Sequence, residues 1–441
     1  MYSNPQSAFP LPPRPKVESY QKFATDLVKA AGDKEEVRKW AETWIDTLAR
    51  LYTGALVQNS YHIARKIEEV ERAINNQLSS PAGKFRLSDA RFIIARAHGF
   101  ATWTRLIKHI EALADKNSSV ARFEAAADAI VAGELSRVKR FLKQDPSLVR
   151  RRSTRQHGAT LLHYTAANGV EGYRQRTPQN IVEITTLLLD SGAEVDAEAD
   201  VYGGGSTTLG LAATSVHPFK AGVQNPLLQL LIDRGAEIDR PRSGGHESTA
   251  VRGCLDNGRG DAAVYLAEHG ARLDLESAAG VGRLDVVASA FTESGKLRRG
   301  IKKSTVESAL RYACCWGRIN VIEYLLDHGV NIGSPDTEGQ TPLHWAAIFG
   351  QLETVKYLLK RKPPLESKNV YGGTVLGQTL WSAGHGGNVK VFSKIIEVLI
   401  AAGAKVPERH VPVNKEIDKL LTKYGSKPEP SWYWFGEKPR S

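Results

Sequence analysis

Apolar residues along this chain recur mostly at helical spacing, in short runs separated by polar stretches. In VESYQKFATDLVKAA, Tyr20, Phe23, Leu27 and Val28 share one helical face, and in VRKWAETWIDTLARL so do Val37, Trp40, Trp44, Ile45 and Leu48. A third helix is expected through YHIARKIEEVERAINNQL, before SSPAG at 79–83 breaks the chain. LSDARFIIARAHGFATWTRLIKHI then reads as a helix, a turn at Gly99 and a second helix that spends Trp103, Leu106, Ile107 and Ile110 on packing. Few polar side chains of that helix are left for base edges, so a helical cap is favoured over a DNA-reading hairpin.

From about residue 121 the pattern becomes periodic. Eight units begin at Glu124, Thr160, Thr207, Thr249, Leu273, Ser308, Thr341 and Thr374, and six place a glycine nine residues later: Gly133, Gly169, Gly258, Gly282, Gly317 and Gly350. A second marker follows the helical stretches, as SGAEVD, RGAEID, HGARLD, HGVNI and AGAKV. One unit, GQTPLHWAAIFGQLETVKYLLK, shows the local logic. Thr341 suits an N-cap, Pro342 the first helical position, and Gly350 the left-handed residue that ends a helix. Val355, Leu358 and Leu359 give a second helix its apolar stripe. Two such short helices do not persist alone, so each unit must stack on its neighbours.

These residues resemble the ankyrin repeat, over roughly residues 121 to 410. TLLH at 160–163, TTLG at 207–210, SALR at 308–311 and TVLG at 374–377 fill the TPLH slot less closely. The resemblance implies an all-α fold: an ankyrin-repeat solenoid of about eight helix-pair units with an N-terminal helical domain. The expected organisation is a disordered tail at 1–16, a helical domain at 17–115, the array at 121–410, and a C-terminal helix with an aromatic tail at 411–441. It also implies a structural role for His344 and His163, which tie the first helix to the Thr341 and Thr160 hydroxyls and to neighbouring backbone. Positions facing the groove in that family correspond here to Tyr164, to Tyr312, Cys315 and Trp316, to Trp345, Ile348 and Phe349, and to Gln378, Trp381 and Ser382, with aromatics concentrated in the last three units. The alternative is that the insert of the eighth unit or SWYWFGEKPRS covers these rings. The inserts described next also resemble those of a group of uncharacterised bacterial ankyrin-repeat proteins.

Three units are too long between their two helices, by about 8 residues in VEGYRQRTPQN, about 6 in SVHPFKAGVQNP and about 8 in SAGHGGNVKVFSK, judged by the repeat period. Inserts repeated on one edge commonly carry function, and those of the adjacent second and third units should meet. VYGGGSTTLGLA and VYGGTVLGQTL put Tyr202 and Tyr371, with glycines, at the hairpin tips, two further positions for partner contact. GGGSTT lacks the lysine of a phosphate loop and no strand precedes it. His246, Arg252, Cys254, Asp256 and Arg259 lie close in sequence, but the register puts Cys254 in the core. His217 and His385 have no ligand spacing, so no catalytic or metal residue is assigned.

Composition adds limits. Hydrophobic residues are 41% and charged residues 24% of the 441, ordinary for a globular chain, and no apolar run is long enough for a membrane helix. No targeting pattern stands at the N-terminus. Three cysteines and no CxxC fit a reducing compartment, so a cytoplasmic location is expected. The net charge of +11 raises nucleic acid as a partner, but residues 161–274 carry 9 basic against 15 acidic side chains and interrupt any phosphate-tracking stripe. Local clusters, Arg150–Arg152 with Arg155 and KLRRGIKK at 296–303, could still attract an anion. The expected function is a non-enzymatic scaffold without cofactor that binds an unidentified protein through the aromatic groove. The alternatives are a small-molecule binder or enzyme with a pocket under the three inserts, favoured by a buried polar cluster beneath them, and DNA association through the N-terminal hairpin.

Overall fold

A computed structural model of the chain describes residues 4–12, 14–49, 68, 71–72, 75–76, 85–240 and 249–429. The third predicted helix falls largely outside these residues; the SSPAG break, His246 and the aromatic tail at 431–441 lie outside them altogether. Helices dominate. They form two compact units, residues 1–262 and 263–441.

In the N-terminal unit, α1 (Val17–Ala30), α2 (Lys34–Ala49), α3 (Leu87–Ala97) and α4 (Trp103–Ala114) follow the predicted apolar faces. Tyr20, Leu27, Val37, Trp44, Ile94, Phe100, Leu106 and Ile110 share one hydrophobic cluster. Gly99, at φ +81°, makes the turn between α3 and α4 that a side chain would strain. The same cluster takes in Phe9, whose ring packs edge-on to Trp44 at 5.3 Å and whose N–H donates to the Ala97 carbonyl at 2.8 Å. The expectation of a disordered tail is therefore corrected for residues 4–12: burial of Phe9 offsets the entropy lost by ordering the segment.

Helix pairs follow: α5 (Ser119–Val131) with α6 (Leu135–Gln144), α7 (Leu161–Thr165) with α8 (Ile181–Asp190), and α9 (Thr208–Thr214) with α11 (Gln224–Asp233). The short α10 (Val216–Lys220) lies in the insert of the third unit, and α12 (Ala250–Asp256) leads to α13 (Gly260–Glu268), which spans the division between the compact units. The inserts of the second and third units do meet, with Gln179 Nε2 donating to the Ala221 carbonyl at 3.2 Å.

The C-terminal unit holds α14 (Leu275–Val281) with α15 (Leu284–Ala288), α16 (Lys303–Cys315) with α17 (Ile319–Asp327), α18 (Pro342–Ile348) with α19 (Leu352–Lys360), and α20 (Val375–Gly384) with α21 (Val389–Ala401). The first helices pack side by side, α14 on α16, α16 on α18 and α18 on α20, over a shared apolar core. Stacking is the reason helices of five to thirteen residues persist here. After the pairs, β1 (Arg409–His410) and β2 (Lys427–Pro428) pair in parallel across α22 (Lys415–Lys423).

The insert of the eighth unit is absorbed into its two helices. Residues 382–384 extend α20 and residues 389–394 open α21, leaving a short turn between. Phe392 of this insert and the adjoining Ile395 and Ile396 are buried in the C-terminal core, so the extra length is taken up as helix.

Candidate functional site

The aromatic positions of the C-terminal unit come together because the repeat register fixes them. Trp316 and Phe349 each stand immediately before a glycine at φ +68°, Gly317 and Gly350, at the C-terminal ends of neighbouring helices α16 and α18. Their rings meet edge-on at 5.5 Å, and Trp345, one turn back on α18, lies 6.0 Å from Phe349. Trp345 is held in place from the hairpin tip, its Nε1–H donating to Asp336 Oδ2 at 2.8 Å. Trp316 and Trp345 are half-buried, and Phe349 is exposed. On α20, Trp381 is exposed and stacks on His385 at 4.0 Å. Tyr312 is half-buried on α16, and Tyr371 at the tip before α20 is 77% exposed. Tyr202 belongs to the N-terminal unit, where its hydroxyl is engaged by Gln6 and Asn168.

The two TPLH-type histidines are buried ties. His163 Nδ1 accepts from the Thr160 N–H at 3.1 Å and lies 2.8 Å from its hydroxyl, and Nε2 reaches the Ser206 carbonyl at 3.3 Å. His344 makes the same pair of contacts to Thr341 at 3.2 and 2.8 Å, with Pro342 at the first helical position. Burial lowers both imidazoles, His163 to about 4. Both are neutral at pH 7, with Nδ1 free of a proton and so able to accept from the threonine backbone.

Under the insert of the second unit lies a buried ionic network that repeat spacing does not reveal. Arg155 meets both oxygens of Glu124 at 2.7 and 2.8 Å and, through Nε, Glu171 at 3.0 Å. Arg174 meets Glu124 at 2.7 Å and Asp128 at 2.8 Å, and Arg155 donates to the Tyr173 hydroxyl at 3.2 Å. His157 lies 3.4 Å from Glu171, and Arg155 also covers the Phe100 ring at 5.5 Å. Burial alone would raise the Glu124 carboxyl, but Arg155 and Arg174 outweigh it and hold it at about 2; Glu171 is driven down by the same pair. The basic cluster expected at 150–155 is therefore corrected at Arg155, which is buried and paired. The sequence trace of this network was Glu171 and Arg174, opposite charges three apart inside an insert.

Cys254 is core, as its register predicts: it is fully buried, and burial pushes its thiol up to about 12. No cluster of three or more metal-binding side chains occurs among the described residues. None of their helices is long and apolar enough to cross a membrane.

No curated protein matches the chain. Residues 275–369 do match the family model for ankyrin repeats, in 3 copies, a span that begins at α14 and ends beyond α19. With three stacked helix pairs, a threonine-capped first helix tied by its histidine and a left-handed glycine closing it, residues 275–369 are ankyrin repeats.

Proposed function

We propose that the chain is a non-enzymatic scaffold that binds a protein partner through the aromatic face of its C-terminal unit, with Trp316, Trp345 and Phe349 at its centre and Tyr312, Trp381 and Tyr371 around it. Ankyrin repeats are generally protein–protein interaction modules. The observation that carries the reading is a mutually contacting set of two tryptophans and a phenylalanine at the ends of neighbouring helices, oriented by Asp336 and open to solvent at Phe349. Exposed aromatic surface of this kind marks partner sites, and Trp and Tyr dominate their binding energy. We extend the ankyrin reading to all eight helix pairs between residues 119 and 401, on the shared register of threonine caps at Thr207, Thr249, Thr341 and Thr374. The three cysteines are buried and none is in a disulfide, which suits a reducing, cytoplasmic setting.

The test is affinity capture from a native lysate with wild type and Trp345→Ala/Phe349→Ala, matched for unfolding midpoint. A protein retained by wild type and lost by the variant supports the face; equal retention sinks it. The enzyme reading gains a buried polar cluster under the insert of the second unit, whose charges pair with one another. The DNA reading gains less. On the N-terminal hairpin Arg91 lies over Trp103, and Arg96 is bonded to Gln156 and lies over Phe92.

A further inference from the structure

Residues 4–8 lie against a built seat in the N-terminal unit. Pro5–Ser7 form a 3-10 turn capped by Asn4, which projects Gln6 at the turn between residues 166 and 170 and the hairpin tip at 201–205. Gln6 Nε2 donates to the Tyr202 hydroxyl at 2.6 Å and to Asn168 Oδ1 at 3.2 Å. The seat is organised without Gln6. Asn168 donates through Nδ2 to the Leu211 carbonyl and to Thr214 Oγ1, both at 3.1 Å, and its Oδ1 accepts from the Gly169 N–H at 2.9 Å and the Tyr202 hydroxyl at 2.8 Å.

Three further features point to an occupant. Ala167 at φ +48° and Tyr202 at φ +52° flank the seat in the left-handed region, and such conformations in non-glycine residues concentrate at ligand clamps. Gly172 forms a wall on which a Cβ would stand 2.5 Å from the Gln6 carbonyl oxygen. Its own φ is not in the left-handed region, so the missing side chain serves the approach of residues 4–8 and not the local turn. Glu171, next to it, is pinned by Arg155, so the wall is rigid. The bonds made by Gln6 are solvent-exposed, whereas Phe9 is anchored in the core. Pro5 and Ala8 of the segment are buried too, so leaving the seat exposes two small apolar side chains while Phe9 stays in the core.

We propose that this seat is a peptide-binding site, that it takes a protein segment presenting a primary carboxamide side chain between small residues, and that residues 4–8 fill it in cis as a displaceable plug. The Asn168 and Tyr202 oxygens select an N–H donor, and Gly172 admits only backbone close behind it. A cis segment competes at an effective concentration on the order of millimolar, which keeps the site closed to weak segments in trans.

The test uses the full chain and a fluorescent peptide of the sequence NPQSAFPLP, followed by anisotropy. Gln6→Ala in the chain removes the two bonds of the plug and should tighten peptide binding by about tenfold over wild type. Adding Gly172→Ala should return affinity to the wild-type level or below, and a peptide with glutamate in place of its glutamine, which offers no N–H, should not bind. Equal affinity for wild type and Gln6→Ala, or equal binding of the glutamate peptide, overturns the proposal. So does loss of the folded circular dichroism spectrum in Gln6→Ala, which would make residues 4–8 a fixed part of the fold.

Discussion

Two hairpin tips of this protein share the residues Val-Tyr-Gly-Gly, at 201–204 and at 370–373, and differ in what meets the tyrosine. At the first, Tyr202 adopts φ +52° and its hydroxyl is bonded to Gln6 and Asn168. At the second, Asn369 closes the turn by accepting from the Tyr371 and Gly373 N–H groups at 3.1 and 2.8 Å, and the ring stays 77% exposed. The four residues suit both tips to a tight turn, but the neighbours decide whether the ring is engaged. The same contrast runs through the two compact units. In the first, polar groups are tied together beneath and around an insert; in the second, the aromatic face stands partly open.

The largest effect should come from cutting the ties beneath the insert of the second unit. Arg155→Ala leaves Glu124 and Glu171 short of a buried counter-charge and should cost about 3–5 kcal/mol. Urea unfolding measures the loss, and segment-resolved amide exchange should place it at residues 119–176, with residues 342–360 unchanged.

Acid should next weaken the N-terminal unit more than the C-terminal one, where burial also lowers His344. Burial depresses His98 to about 3 and His109 and His163 to about 4, all within the N-terminal unit. Between pH 6.5 and 4 the unfolded chain binds protons that these folded histidines do not, so stability is complete above about 6.5 and falls as pH drops through that window. Glu124, held at about 2, loses its contribution lower, between its ordinary pKa near 4.5 and 2. Amide exchange from pH 7 to 4 should therefore weaken protection of the N-terminal unit; a flat profile there would show that the histidines are not buried neutral ties.

A smaller effect isolates the tips themselves. Tyr202→Phe should cost about 1 kcal/mol by removing a bonded hydroxyl, while Tyr371→Phe should leave the unfolding midpoint where it was. Equal responses would erase the distinction between the tips. Phe349→Ala gives up two ring pairings, to Trp316 and Trp345, at about 0.5–1.5 kcal/mol each, and its further weight should appear as loss of the captured partner.

The apolar periodicity was sufficient to read α1–α4 and the helix pairs, because a short amphipathic helix has one face it must bury and one it can leave wet. The threonine caps, His163, His344 and the left-handed Gly350 were legible for the same local reason: each acts within a few residues of its own position. So was the aromatic set Trp316, Trp345 and Phe349, since a fixed register puts equivalent positions of stacked units side by side. Three things were decided only by packing at long range in sequence. Phe9 entered a core built from residues 20–110 and ordered a segment whose composition suggests disorder. The surplus of residues 382–394 became helix because Phe392, Ile395 and Ile396 had a core to fill. Glu124, Arg155, Glu171 and Arg174, spread over some fifty positions, became one neutralised network only where the chain returned on itself. Local pattern determines which helices form and which faces they bury; it carries no information on which distant charge or ring will arrive at a given surface, because that depends on the three-dimensional path of the whole unit.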